Sequence, residues 1–293
     1  MVKLIECVPN FSEGKDLELV ADIVSAIKTA KVLNVHSDPD HNRTVVTIVG
    51  EPDAVQLAAF DLTQRAMQLL DINKHEGEHP YIGVVDVVPF IPIKDISVAE
   101  TVDVAREFGE KVATKFALPV YFYGAAAKIA EHKELPNVRR GGYKVLKEEF
   151  TNARRKPDLG DKLHPHAGAL AVGVRDFLIA FNVNLETSDI DLAKSIAKNI
   201  REKSGGLPGV RALGISLTSR NITQVSINVC DHRTTSLKQV FDEVGKWART
   251  YNVNILESEL VGMIPQEAVF EGMQEYLKLP GFSSKQILEH HVN

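Results

Sequence analysis

This sequence has little of several features that mark special classes of protein. Its 293 residues hold only two cysteines, Cys7 and Cys230, too few for a disulfide framework. No apolar run approaches the ~20 residues that cross a bilayer. Residues 1–15 lack the apolar segment of a secretory signal. We therefore expect a cytoplasmic protein that does not enter a membrane.

There is also no excess of positive charge. The chain has 34 basic and 39 acidic residues, giving a formal net charge of −5. Proteins that bind nucleic acid usually present a basic field to the phosphates. We expect no nucleic-acid partner, and any small anionic ligand must be bound by local cations.

What the sequence does have is a regular alternation of β-rich and helical segments. From Lys3 to Pro92 the patterns follow the order β-α-β-β-α-β, with a capping box at Ser97–Glu100 starting the next helix. The same order returns from Phe177 to Glu257, where Ser188 is the predicted cap of the first helix. We predict an α+β fold of two α/β sandwich subdomains, residues 1–176 and 177–293. The second is predicted to be a ferredoxin-like β-α-β-β-α-β unit.

Residues 128–169 break this alternation. They are rich in charge and glycine, and we predict short helices followed by a long irregular loop. Long loops inside compact domains are usually functional.

The densest group of titratable residues is Lys74-His75-Glu76-Gly77-Glu78-His79-Pro80. Pro80 restricts the backbone beside His79, and Gly77 permits a tight bend. This favours a rigid loop that presents one imidazole, with Glu78 or Asp86 orienting the ring. The purely structural interpretation is a surface loop of solvated charges.

His75 to His79 also matches H-E-x-x-H, the signature of zinc proteases. That motif needs a continuous helix, so that two imidazoles one turn apart bind one metal. Gly77 and Pro80 both disfavour a helix, and no clear third ligand follows. We predict no metal site.

Three further segments carry groups suited to binding anions. The segment Val8–Gly14 precedes a helix, whose N-terminal N–H groups suit a carboxylate or phosphate. The turn Asp38–Thr44 holds Arg43, which can bind a carboxylate at two points. The loop Gly160–Gly168 adds two histidines and two glycines. Each segment also has a purely structural interpretation as a helix cap, a hairpin turn or a linker.

Taken together in order, these segments and others resemble glutamate formiminotransferases along essentially the whole chain. The segments that carry the resemblance are Glu6–Gly14, Asn42–Val45, His75–Pro80, Asp86–Pro92, Pro119–Gly124, Phe177–Leu185 and Leu260–Gly262.

The resemblance implies transfer of the formimino group of N-formimino-L-glutamate to N5 of tetrahydrofolate, giving 5-formiminotetrahydrofolate and L-glutamate. It implies two α/β subdomains, a folate site where they meet, and a homodimer. Tetrahydrofolate is then a co-substrate, and no metal is required. The animal enzymes carry a further cyclodeaminase domain, so we expect a separate cyclodeaminase here.

The catalytic residue implied by the resemblance is the histidine directly before the proline, His79. The implied folate-binding loop is Gly160, Asp161, Lys162, Leu163, His164, Pro165, His166, Ala167 and Gly168. It is one residue shorter than in the animal enzymes and lacks an aromatic residue near Ala167. Another difference is His36, which stands where the resemblance places an acid. The predicted substrate-binding residues are Asn10, Arg43, Lys74, Glu78 and Arg175.

Three alternatives stay open at this point. One is formyl transfer between 5-formyltetrahydrofolate and glutamate, which needs a nearly identical site. Another is a zinc hydrolase built on the H-E-x-x-H match. The third is a folate-binding protein without catalytic activity.

Overall fold

The computed structural model describes residues 2–292, which form two compact units, Met1–Arg175 and Asp176–Asn293. Each unit combines one β-sheet with helices, which confirms the predicted α+β class. Within the described residues, no helix is both long and apolar enough to cross a membrane.

The first unit is built on a seven-stranded sheet. Its strands are β1 (Leu4–Cys7), β2 (Asn10–Phe11), β3 (Lys31–Asp38), β4 (Arg43–Gly50), β5 (Val85–Lys94), β6 (Val120–Gly124) and β7 (Leu170–Val174). Strands β5, β7 and β6 are parallel, and β1, β2, β3 and β4 are joined to the sheet by antiparallel pairing. Both β1 and β2 lie between β4 and β5, so together they act as one interrupted strand.

Three helices cover one face of this sheet: α1 (Leu17–Ser25), α2 (Pro52–Leu69) and α3 (Val98–Phe116). Because side chains alternate along a strand, every second residue points toward these helices. Ile5, Cys7, Ile48 and Phe90 therefore lie fully buried in the main core.

On the other face, two short helices cover a smaller core. They are α4 (Leu135–Val138) and α5 (Gly142–Glu149), and their Val138 and Leu146 pack with Tyr121 and Ala171. Buried polar residues, among them Glu6, Asn10 and Asp86, also lie in this unit. The candidate site is made from these residues.

The second unit has a four-stranded antiparallel sheet in the order β11-β8-β10-β9. Its elements are β8 (Ile179–Leu185), α6 (Ile190–Ile200), β9 (Val210–Leu217), β10 (Ile222–Val229), α7 (Leu237–Thr250), β11 (Ile255–Val261), α8 (Met273–Tyr276) and α9 (Glu289–Val292). Apolar residues of α6 and α7, such as Ile196 and Val244, form its core with Phe181 and Ile227.

Several local predictions are confirmed and others are wrong. The capping box at Ser97 and Glu100 is present, and Pro52 stands at the start of α2. The cap of α6 is Asp189 and not Ser188, since the Asp189 side chain accepts a hydrogen bond from the Asp191 N–H. Strand β7 was not predicted, because its sequence Leu-Ala-Val-Gly-Val directly follows the irregular loop.

Candidate active site

Three distant segments of the first unit meet around the loop that carries His79. That loop connects a 3₁₀ turn, Ile72–Lys74, to β5. Asn42 bridges two of the segments, since its Oδ1 accepts from Gly14 N at 3.0 Å and its Nδ2 donates to Glu76 O at 2.8 Å. The structure thus brings together three of the segments singled out from the sequence, and the fourth, Gly160–Gly168, joins them below.

The backbone of the His79 loop is packed tightly against the turn between β3 and β4. Glu78 N donates to Asp40 O at 3.3 Å. A Cβ on Gly77 would lie 2.3 Å from the carbonyl oxygen of His41, which no side chain can occupy. Glycine is therefore required at this position for close backbone approach.

The loop Gly160–Gly168 holds both ends of the His79 loop through backbone hydrogen bonds. Before the loop, Ile72 N donates to His166 O at 2.8 Å. After it, Ala169 N donates to Ile82 O, and Val84 N donates to Ala167 O, both at 3.0 Å. The positions of the two loops are therefore coupled through their backbones.

Inside the loop Gly160–Gly168, His164 acts as a structural residue. His164 and Gly168 exchange backbone hydrogen bonds at 3.1 and 3.2 Å, and His164 Nδ1 accepts from Ala167 N at 2.9 Å. His166 Nδ1 lies 3.3 Å from a carboxylate oxygen of Asp71. The side chains of Asp161, Lys162 and His166 are exposed, whereas Ala167 and Gly168 are buried.

His79 itself is half-buried, and both of its ring nitrogens have polar neighbours. Its Nδ1 lies 2.8 Å from the carbonyl oxygen of Pro80, which can only accept a hydrogen bond. Arg43 Nη1 contacts both ring nitrogens and lies 2.9 Å from Nε2.

The surroundings of His79 favour the neutral imidazole. Its pKa is held well below the usual value, first by removal of the ring from water and then by the positive charges of Arg43 and Arg139. The ring of His41, whose centroid lies 5.9 Å away, acts in the same direction. A neutral imidazole can accept a proton at neutral pH.

Arg43, at the start of β4, is held by three partners. Its Nε donates to Asn10 Oδ1 at 2.8 Å, and its Nη2 contacts the same oxygen. Nη1 lies 3.7 Å from Asp86 Oδ2 and also meets His79. Asn10 is fixed in turn, since its Nδ2 donates to Val8 O at 2.7 Å.

Asp86 is the carboxylate at the centre of this group, and it is 2% exposed. Its Oδ1 accepts from Ile82 N at 3.0 Å and from Arg139 Nε at 3.3 Å, and its Oδ2 contacts Arg139 Nη2. Two arginines therefore share one carboxylate. The group formed by Asn10, Arg43, Asp86 and Arg139 beside His79 has a positive excess, which suits an anionic substrate.

A second group of polar residues lies in the same unit. Arg175 hydrogen-bonds the side chain of Tyr123 and stabilises the charge of Glu6 electrostatically. Burial nevertheless raises the pKa of Glu6 to about 7. The predicted substrate residue Arg175 thus already has partners within the protein.

The N-terminus of α1 is occupied by the protein's own side chains. Glu13 Oε1 accepts from the N–H groups of Gly14, Lys15 and Asp16 at 2.7–3.0 Å, and Asp16 accepts from the next two, Glu18 and Leu19. Of the two interpretations of this segment, the hydrogen bonds favour the structural one, since the protein's own carboxylates cap the helix. Anion binding here must use side-chain cations.

Two of the predicted substrate residues do not join the group around His79. Lys74 and Glu78 have exposed side chains, and neither makes a side-chain hydrogen bond or ion pair within residues 2–292. Their assignment stays a prediction that the hydrogen bonds of this site do not support.

The segment from His75 to His79 is not helical, so the H-E-x-x-H helix is absent from this described stretch. His75 Nδ1 lies 3.4 Å from Asn42 Nδ2, and its ring packs edge-on against Tyr81 at 4.3 Å. His79 instead meets Arg43. The two imidazoles therefore have different partners.

Sequence reasoning missed Arg139 as a member of the site. Arg139 lies in the segment Arg139-Arg140-Gly141-Gly142, within residues 128–169, for which the sequence indicated only a high content of charge and glycine. Its contact with Asp86, 53 positions away, depends on how α4 packs over the sheet. The usable signal was a pair of arginines beside glycines in a long loop of a compact domain.

Comparison with known proteins assigns this arrangement to a class. Residues 4–175 match the family model of the formiminotransferase domain, N-terminal subdomain, and residues 180–290 match that of the formiminotransferase domain. The chain belongs to the formiminotransferase family.

Among its relatives are proteins that this chain matches over nearly their whole length. A glutamate formimidoyltransferase of Streptococcus pyogenes is 40% identical over 100% of this chain and 99% of its own. That of Thermoplasma acidophilum is 40% identical over 99% and 98%. The formimidoyltransferase-cyclodeaminase of Mus musculus is also 40% identical, over 94% of this chain and 53% of its own.

Proposed function

We propose that this protein is a glutamate formimidoyltransferase, which transfers the formimino group of N-formimino-L-glutamate to N5 of tetrahydrofolate. The observation that carries the proposal is His79, a neutral imidazole held beside two arginines in a chain of this family. The products are 5-formiminotetrahydrofolate and L-glutamate.

The reaction needs one proton removed and one delivered. N5 of the folate attacks the amidine carbon, and its proton passes to the imidazole of His79. The same proton then passes to the glutamate nitrogen, the bond from that nitrogen to the amidine carbon breaks, and L-glutamate leaves. A single imidazole serves as base and then as acid, a role typically worth ~10²–10⁴-fold in rate.

The role of Asn10, Arg43 and Asp86 is to place the imidazole and set its protonation. Arg43 is fixed by Asn10 on one side and by Asp86 on the other. Its positive charge opposes protonation of the ring, so the imidazole is kept neutral, as a base must be. Proximity and orientation supply the rest of the rate.

For the folate, the loop Gly160–Gly168 remains the proposed binding segment. Its backbone is hydrogen-bonded to both ends of the His79 loop, so a ligand held by one is placed relative to the other. Exposed Lys162 offers a cation for the anionic tail of the folate.

Formyl transfer between 5-formyltetrahydrofolate and glutamate is a second candidate. The formyl and formimino groups differ by oxygen in place of NH, and the same imidazole serves both. We favour formimino transfer, because the full-length relatives are formimidoyltransferases.

Histidine degradation and one-carbon metabolism are the proposed setting, and the cytoplasm is the proposed compartment. A homodimer and a separate cyclodeaminase partner are also proposed. The mouse relative joins both names in one protein of which this chain covers 53%.

The deciding experiment mixes the purified protein with tetrahydrofolate and N-formimino-L-glutamate and identifies the folate product. We expect a 5-substituted folate and one L-glutamate released for each. A parallel reaction with N-formyl-L-glutamate measures the formyl alternative. Folate binding with no turnover of either donor would contradict the proposal and favour a binding protein.

A further inference from the structure

Arg139 is anchored on one side only. It follows α4, where its backbone N–H donates to Leu135 O at 3.0 Å and its carbonyl oxygen accepts from Gly142 N at 2.8 Å. Its Nε and Nη2 both bind the carboxylate of Asp86. This two-point contact fixes the plane of the guanidinium.

The other edge of this guanidinium is open. Within residues 2–292, Nη1 of Arg139 makes no hydrogen bond or ion pair, and the side chain is 13% exposed. Arg43 differs, because its Nε and Nη2 are used by Asn10 and its Nη1 by His79. Arg175 differs too, because it bonds Tyr123.

Arg139 also stands close to the proton-transfer residue. It shares Asp86 Oδ2 with Arg43, which contacts the ring of His79. Its charge is among those that act on that ring. Arg139 and His79 therefore belong to one cluster, linked through Asp86 and Arg43.

We propose that Arg139 binds the α-carboxylate of the glutamate moiety through this open edge. The inference rests on the proposed function and adds a residue to it. The α-carboxylate is attached to the carbon that bears the nitrogen protonated by His79. It must therefore lie near the imidazole in every conformer of the substrate, whereas the γ-carboxylate can swing away.

Steady-state kinetics of Arg139→Gln tests this, with Arg140→Gln as the matched control. Arg140 is adjacent and exposed, so its variant removes the same charge. We expect Arg139→Gln to raise KM for N-formimino-L-glutamate roughly 10- to 100-fold, the loss typical of a hydrogen bond between charged groups. KM for tetrahydrofolate should stay unchanged, and Arg140→Gln should behave as wild type.

A substrate that lacks the α-carboxylate provides a second test of the proposal. The α-amide of N-formimino-L-glutamate has no α-carboxylate, so wild type and Arg139→Gln should use it equally poorly. If Arg139→Gln kept its full defect on the α-amide, the residue would act on the fold or on His79, and the proposal would be overturned.

Arg139→Gln leaves the buried carboxylate of Asp86 with one arginine fewer, which can prevent folding. Arg139→Lys is the variant to use if that happens. Lysine keeps the positive charge beside Asp86, but it cannot bind Asp86 with one edge and a substrate carboxylate with the other, as a guanidinium can. Calorimetric titration with L-glutamate, which needs no turnover, should show weaker binding by Arg139→Lys than by wild type. Equal binding would overturn the inference, while a wild type that neither turns over nor binds glutamate would overturn the proposed function itself.

Discussion

Arg43 places its Nη1 against both ring nitrogens of His79, 2.9 Å from Nε2. Because an arginine can only donate, this contact is compatible with a neutral imidazole and opposes a protonated one. In the proposed reaction, the proton that the imidazole accepts from the folate is therefore held against a neighbouring positive charge. Such an acid passes its proton on readily, which suits a residue that must be regenerated as a base within one turnover.

Replacing His79 tests the central role. His79→Ala should lower turnover by at least ~100-fold, since general acid–base catalysis is lost. Stability should change little, because the residue lies half-buried in a polar loop. His290→Ala, an exposed histidine of the second unit, is the control and should retain full activity. An active His79→Ala enzyme would exclude this imidazole from proton transfer.

The dependence of kcat/KM on pH should reveal the lowered pKa of His79. The base must be neutral, so activity rises as pH rises through that pKa, and this limb should lie below the ~6.5 of a free imidazole. Arg43→Gln removes a positive charge, which raises the pKa and moves the limb to higher pH. Arg65→Gln, which removes an equal charge from a surface pair with Asp22, should leave the limb in place. A limb unmoved by Arg43→Gln would show that Arg43 does not set the protonation of the ring.

Activity should not depend on a metal ion. His75 and His79 have different partners and are not on one helix, so they lack the geometry of a shared zinc site. Dialysis against a strong chelator should leave the rate unchanged, and His75→Ala should cost far less than His79→Ala. Stoichiometric zinc whose removal abolished turnover would revive the hydrolase alternative.

Lys162 is the residue of choice for testing the folate loop. Lys162→Gln should raise KM for tetrahydrofolate roughly two- to fivefold at low salt, as for an exposed ion pair, with KM for formiminoglutamate unchanged. Lys156→Gln, also exposed, is the control. Gly168 is less suitable: its φ is +74°, and a Cβ would lie 2.4 Å from Ile82 O, so Gly168→Val should unfold the loop. Identical kinetics for both lysine variants would place the folate tail elsewhere.

Glu6 should make stability fall as pH rises. Its pKa is about 7 in the folded state against 4.5 when unperturbed, so between these values only the unfolded chain loses the proton. The penalty is absent below pH 4.5 and complete above pH 7, where it amounts to about 3 kcal/mol. Glu6→Gln should therefore stabilise the protein at pH 8 and not at pH 4, as measured by denaturant unfolding. Equal effects at both pH values would show that folding does not raise the pKa of Glu6.

Local patterns predicted the helices and most strands well, because the signals involved are local. Pro52 and the Ser97–Glu100 box start helices through contacts a few residues apart. Strand β7 was not predicted because all of its residues are buried, on both faces of the sheet, so its sequence shows no alternation of apolar and polar residues. The cap of α6 moved by one residue because Ser188 and Asp189 are both good caps.

The site was predictable only where one segment held several of its groups. His79 was found because titratable residues, glycine and proline crowd around it. Arg139 was missed because nothing local distinguishes it from other surface arginines, and its pairing with Asp86 exists only in the folded unit. The role of Glu13 as a cap of α1 could not be predicted either. A glutamate that accepts hydrogen bonds from the backbone next to it cannot be distinguished in the sequence from a solvated surface charge.

The backbone bonds that hold the His79 loop also fix when the site can form during synthesis. Their partners lie at residues 166–169, and strand β7, which inserts between β5 and β6, follows them. A nascent chain ending before residue 166 has β5 without its parallel neighbour and the His79 loop without its anchors. The imidazole is translated early, but the backbone that holds its loop is complete only after nearly a hundred further residues have left the ribosome.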